Sequence, residues 1–171
     1  ESDLGNLCAD ILRERTGAAV GLMPSGALRG DLPAGPITRE TLLDVFPFTD
    51  RIELLELGGE VLLRAIEQGL TLERGVLQVS GIDVRYDRRR AAGNRILSAT
   101  VAGAPVEAAK TYEVATITML AQGGDRYRML AGQPRRDGDW GEFAAALEDV
   151  VANRKPLRAP AGGRLITVAQ D

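Results

Sequence analysis

The sequence has 171 residues, which is about the length of one domain. Its 21 basic and 24 acidic side chains leave a net charge of −3, so the chain as a whole does not attract nucleic acid or an anionic membrane. It has no histidine, and Cys8 is its only cysteine. These counts exclude Ser-His-Asp and Cys-His catalysis, a histidine-ligated or multi-thiolate metal site, and an intramolecular disulfide.

No stretch of the sequence predicts a membrane span or a leader. The longest uncharged run, residues 17–28, contains Pro24 and is shorter than the roughly 20 residues that cross a bilayer as a helix. The first residues, Glu1-Ser2-Asp3, lack the basic and apolar regions of a signal peptide. We expect the chain to be a fragment excised from a longer protein.

The first predicted element is a helix. Apolar side chains recur at the spacing of one helical face, at Leu4, Leu7, Cys8, Ile11 and Leu12. Ser2 or Asp3 can cap its start, and Gly17 follows its end. A short apolar run over residues 18–23 then predicts a buried strand, and a glycine-bearing turn follows over residues 24–30.

Two helices and a strand are predicted next. Residues 38–45 form a short helix that must end before Pro47, because the residue before a proline disfavours helical backbone. Residues 51–57 predict a strand covered on both faces, since two leucines are adjacent in it. Residues 58–68 predict a helix closed by Gly69.

The second half of the sequence predicts mostly strands. Residues 79–86 predict one strand, because Ile82, Val84 and Tyr86 share one face and Asp83 and Arg85 share the other. Residues 95–106 predict a hairpin that turns near Gly103, and residues 112–119 predict a further strand. A glycine-rich loop follows over residues 121–125.

The last predicted elements are a helix and a strand. Asp139 and Glu142 have the spacing of a capping box, and the helix that they begin buries one face, formed by Trp140, Phe143, Leu147 and Val151. Residues 164–168 predict a closing strand. This order of elements favours a single α+β domain with mixed sheets flanked by helices, rather than a regular βαβ winding.

Three segments have a residue pattern suited to a ligand, and each also has a plain structural explanation. Paired glycines before Asp125 would let backbone approach a ligand whose vicinal hydroxyls bond the carboxylate, or they form a tight turn. Gly26 and Arg29 would leave room for a phosphate and bind it with a guanidinium fork, or they too form a turn. Phe48, in a polar loop, either covers the edge of the core or faces a ligand.

Charged runs in the sequence are interpreted as surface features. Residues 88–90 and 135–136 are short arginine runs, which we interpret as solvated turns. Residues 137–142 contain three carboxylates but lack the frame of a calcium loop, so we interpret them as a turn and a helix cap.

Taken together, five segments resemble the C-terminal domain of the 5′-nucleotidase family, which also includes UDP-sugar hydrolases and 2′,3′-cyclic nucleotide phosphodiesterases. They occur in family order over nearly the whole chain: residues 1–7 (ESDLGNL), 25–29 (SGALR), 46–48 (FPF), 78–82 (QVSGI) and 120–127 (LAQGGDRY). The resemblance implies that the chain is the substrate-binding domain, over residues 1–171. It also implies that an N-terminal metallophosphoesterase domain, absent from this chain, holds two divalent metal ions and performs hydrolysis.

The resemblance further implies a set of substrate-binding residues. Phe48 matches the aromatic ring that stacks on the base, Arg29 matches an arginine directed at phosphate or ribose, and Asp125 matches the carboxylate that binds ribose hydroxyls. The remaining members of the set are Gly26, Gly81, Met119, Gly123 and Gly124. No catalytic residue and no metal ligand is expected in this chain, so the fragment alone should be inert.

Two positions depart from the family pattern and leave alternatives open. Pro24 stands where the family has a base-binding asparagine, and Met119 stands where it has a second stacking aromatic residue. One alternative is therefore a degenerate domain retained for structure or partner contact, and another is a relative that acts on a different ester, such as the sulfur-oxidation branch. The expected partners are a nucleotide or nucleoside and the N-terminal domain of the same polypeptide. A periplasmic, cell-surface or secreted location is implied by the resemblance alone.

Overall fold

The computed structural model describes residues 1–71 and 75–168 and begins with helix α1, Asp3–Thr16. The Ser2 hydroxyl accepts a hydrogen bond from the Gly5 amide at 3.1 Å, which satisfies one of the free amides of the first turn. Gly17 ends the helix in left-handed backbone, with φ of 73°. The helix predicted at this position, with its cap and its terminating glycine, is confirmed.

The other elements follow in chain order. The strands are β1 (Val20–Met23), β2 (Ile52–Gly58), β3 (Gln78–Ser80), β4 (Ile82–Tyr86), β5 (Ile96–Val101), β6 (Ala104–Pro105), β7 (Thr111–Ile117) and β8 (Leu165–Thr167). The helices are α2 (Arg39–Val45), α3 (Gly59–Gly69), α4 (Thr118–Ala121) and α5 (Phe143–Asn153). The Thr38 hydroxyl accepts from the Thr41 amide at 3.2 Å and caps α2, as its sequence indicates.

The strands form two mixed four-stranded sheets. In the first sheet the order is β2-β7-β1-β3, with β1 and β7 parallel and the outer pairs antiparallel. In the second sheet the order is β6-β5-β4-β8, with β4 and β8 parallel. Helices α1 and α3 pack on the first sheet, and α5 packs on α1 and α2. The predicted α+β class with mixed sheets and flanking helices is confirmed.

The single strand predicted over residues 79–86 is wrong, because the chain changes sheets at Gly81. This glycine has φ of 74°, and a Cβ on it would collide with the carbonyl oxygen of Ala19. The left-handed residue ends β3 in the first sheet and starts β4 in the second. The apolar positions change phase at this glycine, from Val79 to Ile82, Val84 and Tyr86, and this shift was an available signal of the break.

The predicted capping box is also wrong. Helix α5 begins at Phe143 and has no side-chain cap, while the Asp139 carboxylate accepts from the Gly141 amide at 2.9 Å and pairs with Arg51 at 2.6 Å. The chain before α5 instead lies along the open edge of β2, where the Arg136 amide donates to the Leu54 carbonyl at 2.9 Å. This covered edge leaves fewer unpaired backbone groups for association with another strand.

Two smaller differences concern the ends of predicted elements. The strand predicted over residues 112–119 ends at Ile117, and Met119 lies in α4. Gly69, expected to lie beyond α3, is its last residue, and the Leu77 side chain occupies the space where a Cβ on Gly69 would lie.

Candidate functional site

The first sheet brings distant loops to one edge. Strands β1 and β7 are parallel, so their carboxyl ends lie at the same edge, and β2 starts there because Ile52 pairs with Ile117. The segments after β1, after β7 and before β2 therefore meet. They carry, in order, the turn Ser25–Ala27, helix α4 with the turn Gly124–Arg126, and the loop containing Phe48.

These segments surround a cavity of about 480 Å³, which we call the edge cavity. Five of the eight residues predicted to bind substrate line it: Gly26, Arg29, Phe48, Met119 and Asp125. The other lining residues are Ala27, Asp50, Gln68, Thr71, Gly75 and Arg126. A cavity of this volume has room for a ligand of the size of a nucleoside.

Phe48 forms an aromatic wall of the edge cavity. Phe46, which is buried, meets the Phe48 ring nearly perpendicularly at 5.5 Å between centroids, and Phe143 packs on Phe46 at 4.8 Å. The Arg29 guanidinium lies 5.4 Å from the Phe48 centroid, within the range of a cation–π contact. The ring is half-buried, and the core supports it through Phe46.

Asp125 lies close to the turn that follows β1. Its Oδ2 atom is 3.5 Å from the position that a Cβ on Gly26 would take, so the glycine leaves the space in front of the carboxylate open. Asp125 is exposed and has left-handed backbone, with φ of 48°, and Arg126 follows with φ of 68°. Non-glycine residues in this conformation carry strain, which is frequently stored at ligand sites.

Tyr127 follows this turn and packs in the core. It is fully buried, and its hydroxyl has no hydrogen-bond partner among the residues that the structure describes. Burial raises the pKa of this phenol, and the negative charge of Asp125 raises it further. The phenol therefore stays neutral and acts as a packing group.

Met119 is held in place by Asp50. The Asp50 carboxylate accepts from the Met119 amide at 2.7 Å, at the start of α4. The Met119 sulfur and carbonyl lie where a side chain on Gly124 would be, so Gly124 makes room for Met119. Gly123 has φ of 90°, and neither glycine lines the edge cavity. Their observed contacts are with protein groups.

Gly81 lies away from the edge cavity, at the junction between the two sheets. Its left-handed backbone and its contact with the Ala19 carbonyl account for a glycine at this position.

Asp50, Gln68, Thr71 and Arg126 line the edge cavity but were not predicted from the sequence. Arg126 follows Asp125, and Asp50 lies two residues after Phe48 in a polar loop, and that proximity was an available signal. Gln68 and Thr71 lie at the end of α3, and nothing in the sequence indicates that this helix end faces the loops after β1 and β7.

A larger groove of about 1020 Å³ lies elsewhere and contains none of the predicted residues. It runs between the start of α1, the loop over residues 31–37 and the segment that follows α5. Its lining is mainly apolar and lacks a convergent set of aromatic, acidic and basic groups. The edge cavity is the better candidate site because its lining combines all three.

Neither a metal centre nor a membrane span is found among the described residues. Over residues 1–71 and 75–168, no three histidine, cysteine or acidic side chains are placed to hold a metal ion. No helix in this part of the chain is long and apolar enough to cross a membrane.

The edge cavity joins three of the five segments that resemble the 5′-nucleotidase family, residues 25–29, 46–48 and 120–127, and comparison with known proteins agrees. The family model for the 5′-nucleotidase C-terminal domain matches residues 1–132. The chain belongs to this family. The predicted resemblance is therefore confirmed.

Individual relatives support the assignment over a wider part of the chain. A snake venom 5′-nucleotidase of Gloydius brevicauda is 33% identical, over 97% of this chain and 33% of the relative. The crystal structure of a 5′-nucleotidase precursor of Thermus thermophilus superposes on all of this chain and 36% of its own, with a TM-score of 0.90 and 30% identity. The chain thus spans about a third of the length of these 5′-nucleotidase relatives.

A sulfate thiohydrolase, SoxB, of Thermus thermophilus shares the fold, with a TM-score of 0.76 and 18% identity over the whole chain and 33% of that protein. At this identity the likeness concerns the fold alone. The sulfur-oxidation alternative gains no support beyond a shared architecture.

Proposed function

We propose that the edge cavity binds the nucleoside part of a nucleotide, and that the whole protein is a 5′-nucleotidase-type phosphoester hydrolase. The observation that carries the proposal is the meeting of Arg29, Phe48 and Asp125 around one cavity in a chain of this family. The three groups offer a π face, a cation and an acidic acceptor. A nucleotide presents a base, a phosphate and a ribose diol, which match them one by one.

Phe48 would bind the base by stacking, supported from the core by Phe46. Base stacking on an aromatic side chain is worth about 1–3 kcal/mol. Met119 would contribute a thioether contact, worth about 0.3–1.5 kcal/mol. We therefore expect weaker base binding than in a pocket with two aromatic walls.

Asp125 would accept hydrogen bonds from the ribose hydroxyls, and Gly26 keeps the approach to its carboxylate open. Arg29 would bind the phosphate or the ribose, and a ligand base could compete with its guanidinium for the Phe48 ring. These side chains bind and orient the substrate. None of them supplies a nucleophile.

Hydrolysis would take place on a domain outside this chain, and residues 1–171 would form only the substrate-binding domain. Two divalent metal ions on that other domain would activate water and stabilise the developing phosphate charge. The absence of histidine from this sequence agrees with this division. We expect the 171-residue chain alone to be inert.

We also propose a periplasmic, cell-surface or secreted location for the whole protein. A snake venom enzyme among its relatives supports this proposal. The test is fractionation of the source cells with an antibody against this domain. Recovery of the whole protein in the cytosol alone would contradict it.

The binding proposal is tested by calorimetric titration of the chain with adenosine and adenosine monophosphate. Asp125→Ala should weaken binding by about tenfold or more, because hydrogen bonds to a charged group contribute about 1.5–3 kcal/mol. Asp125→Asn is the conformationally matched variant, since asparagine tolerates left-handed backbone. Asp83→Ala, at an exposed position on β4, is the control for loss of one negative charge.

The outcomes separate the alternatives. Binding that Asp125→Ala weakens and Asp83→Ala leaves intact supports the proposed pocket. Equal affinities for the wild type and both Asp125 variants mean that the pocket is wrongly assigned. A folded wild-type chain that binds neither ligand would favour the degenerate domain.

A further inference from the structure

The hairpin between β4 and β5 concentrates positive charge in an acidic chain. Residues 85–95 contain five arginines and one aspartate, a net charge of +4, although the whole chain carries −3. The arginines are Arg85, Arg88, Arg89, Arg90 and Arg95. The overall charge therefore does not describe this end of the molecule.

Most of these arginines form no ion pair with the described residues, although Asp83 also lies on the exposed face of β4, two residues from Arg85. Within the described residues, only Arg89 has a carboxylate partner, Asp87 at 2.9 Å, and its hydrogen bonds and charge lower the pKa of Asp87 to about 2. The Arg88 guanidinium bonds the hydroxyl of Tyr86 at 3.2 Å, and that of Arg90 bonds the Asn94 carbonyl at 3.2 Å. These neutral acceptors orient the cations and leave their charge in place.

Exposed apolar side chains lie beside these cations. Arg85 points to the outer face of the second sheet, where its registered neighbours are Ser98 on β5 and Ile166 on β8. Ile166 is 42% exposed, and Leu97, at the irregularity next to Ser98, is 47% exposed. Only three large apolar side chains are this exposed in the described part of the chain, and two of them lie here.

We propose that this surface, formed by the outer face of the second sheet and the arginine-rich hairpin, binds an anionic phospholipid membrane peripherally. Cations that lack acidic partners attract negatively charged headgroups, and the two apolar side chains enter the boundary of the acyl chains. Tyr86 is the one aromatic residue on the described strands of this sheet, and it is buried, so the surface offers no stacking platform for single-stranded nucleic acid. A protein interface would also be expected to contain aromatic anchors.

The test is co-sedimentation of the chain with vesicles of pure phosphatidylcholine and of phosphatidylcholine mixed with phosphatidylglycerol, at low and high salt. We expect binding only to the anionic vesicles, weakened by salt. Arg88→Ala with Arg90→Ala should reduce the partition coefficient about 30-fold, since each surface cation contributes about fivefold. Arg89 is left unchanged because Asp87 already pairs with it.

Three further variants make the result specific. Arg88→Lys with Arg90→Lys preserves the charge and should retain binding. Arg39→Ala with Arg64→Ala removes the same charge from exposed positions on α2 and α3 and should also retain it. Leu97→Ser with Ile166→Ser should remove the binding that persists at high salt.

The proposal is overturned if the neutral vesicles bind equally well, or if the Arg39 and Arg64 pair matters as much as the Arg88 and Arg90 pair. Binding of duplex DNA without binding of anionic vesicles would also overturn it, in favour of nucleic acid. None of these variants alters a residue of the edge cavity, so the outcome is independent of the nucleotide titration.

Discussion

Replacement of Phe48 by alanine should separate ligand binding from stability. The substitution removes the ring that would stack on a base, and stacking is worth about 1–3 kcal/mol, so the Kd for adenosine should rise about 5- to 150-fold. The same change removes the edge contact with Phe46 and the cation–π contact with Arg29. Together these contacts contribute about 1–2.5 kcal/mol to the free energy of unfolding.

Calorimetry and thermal unfolding measure the two effects on the same samples. Phe48→Tyr keeps the ring and should keep the Kd close to that of the wild type. Phe46→Leu is the control for loosened packing, because Phe46 is buried behind Phe48 and does not line the edge cavity. This variant should lower the Tm and weaken adenosine binding much less than Phe48→Ala does.

The stacking role is refuted if folded Phe48→Ala binds adenosine with a Kd within about twofold of the wild-type value. It is also refuted if Phe46→Leu weakens binding as much as Phe48→Ala does. Loss of affinity would then follow from core packing, and Phe48 would only cover the edge of the core.

Three other predictions concern the same domain. Met119→Phe should tighten adenosine binding about fivefold in calorimetry, because stacking on an aromatic ring contributes about 1 kcal/mol more binding free energy than a thioether contact. Unchanged or weaker binding would contradict a base-contacting role for the side chain at this position. Gly124→Ala should lower the Tm by about 3–10 °C, since the added methyl group overlaps Met119, whereas Gly30→Ala, with no atom nearer than 3.8 Å, should change it little. Burial raises the pKa of the Cys8 thiol from 9.0 to about 12. The neutral thiol therefore stabilises the folded chain below pH 9, and this stabilisation is lost as the pH rises from 9 toward 12. In urea unfolding over this pH range, the free energy of unfolding should fall less steeply for Cys8→Ala than for the wild type.

The chain order of helices and strands followed from local patterns. Helical spacing, capping residues and terminating glycines each depend on contacts between residues close in sequence, as the contacts of Ser2 and Gly17 at the two ends of α1 do. The strand over residues 79–86 was mispredicted because one left-handed glycine, Gly81, redirects the chain between two short segments that each have strand-like composition. The capping-box prediction was wrong because the Asp139 carboxylate forms an ion pair with Arg51, a residue that is remote in sequence.

The chemistry of each candidate substrate-binding side chain could be predicted from its residue type. The family resemblance assigned Arg29, Phe48 and Asp125 to one site. Their proximity depends on the parallel pairing of β1 with β7 and on the register of β2, which are long-range contacts that no local pattern encodes. Gln68 and Thr71 lie at the edge cavity, and they follow from the packing of α3 on β2 and β7, which is also long-range. Residue types and local elements follow from short-range interactions, whereas the cavity and the exposed cationic surface exist only once the two sheets have formed.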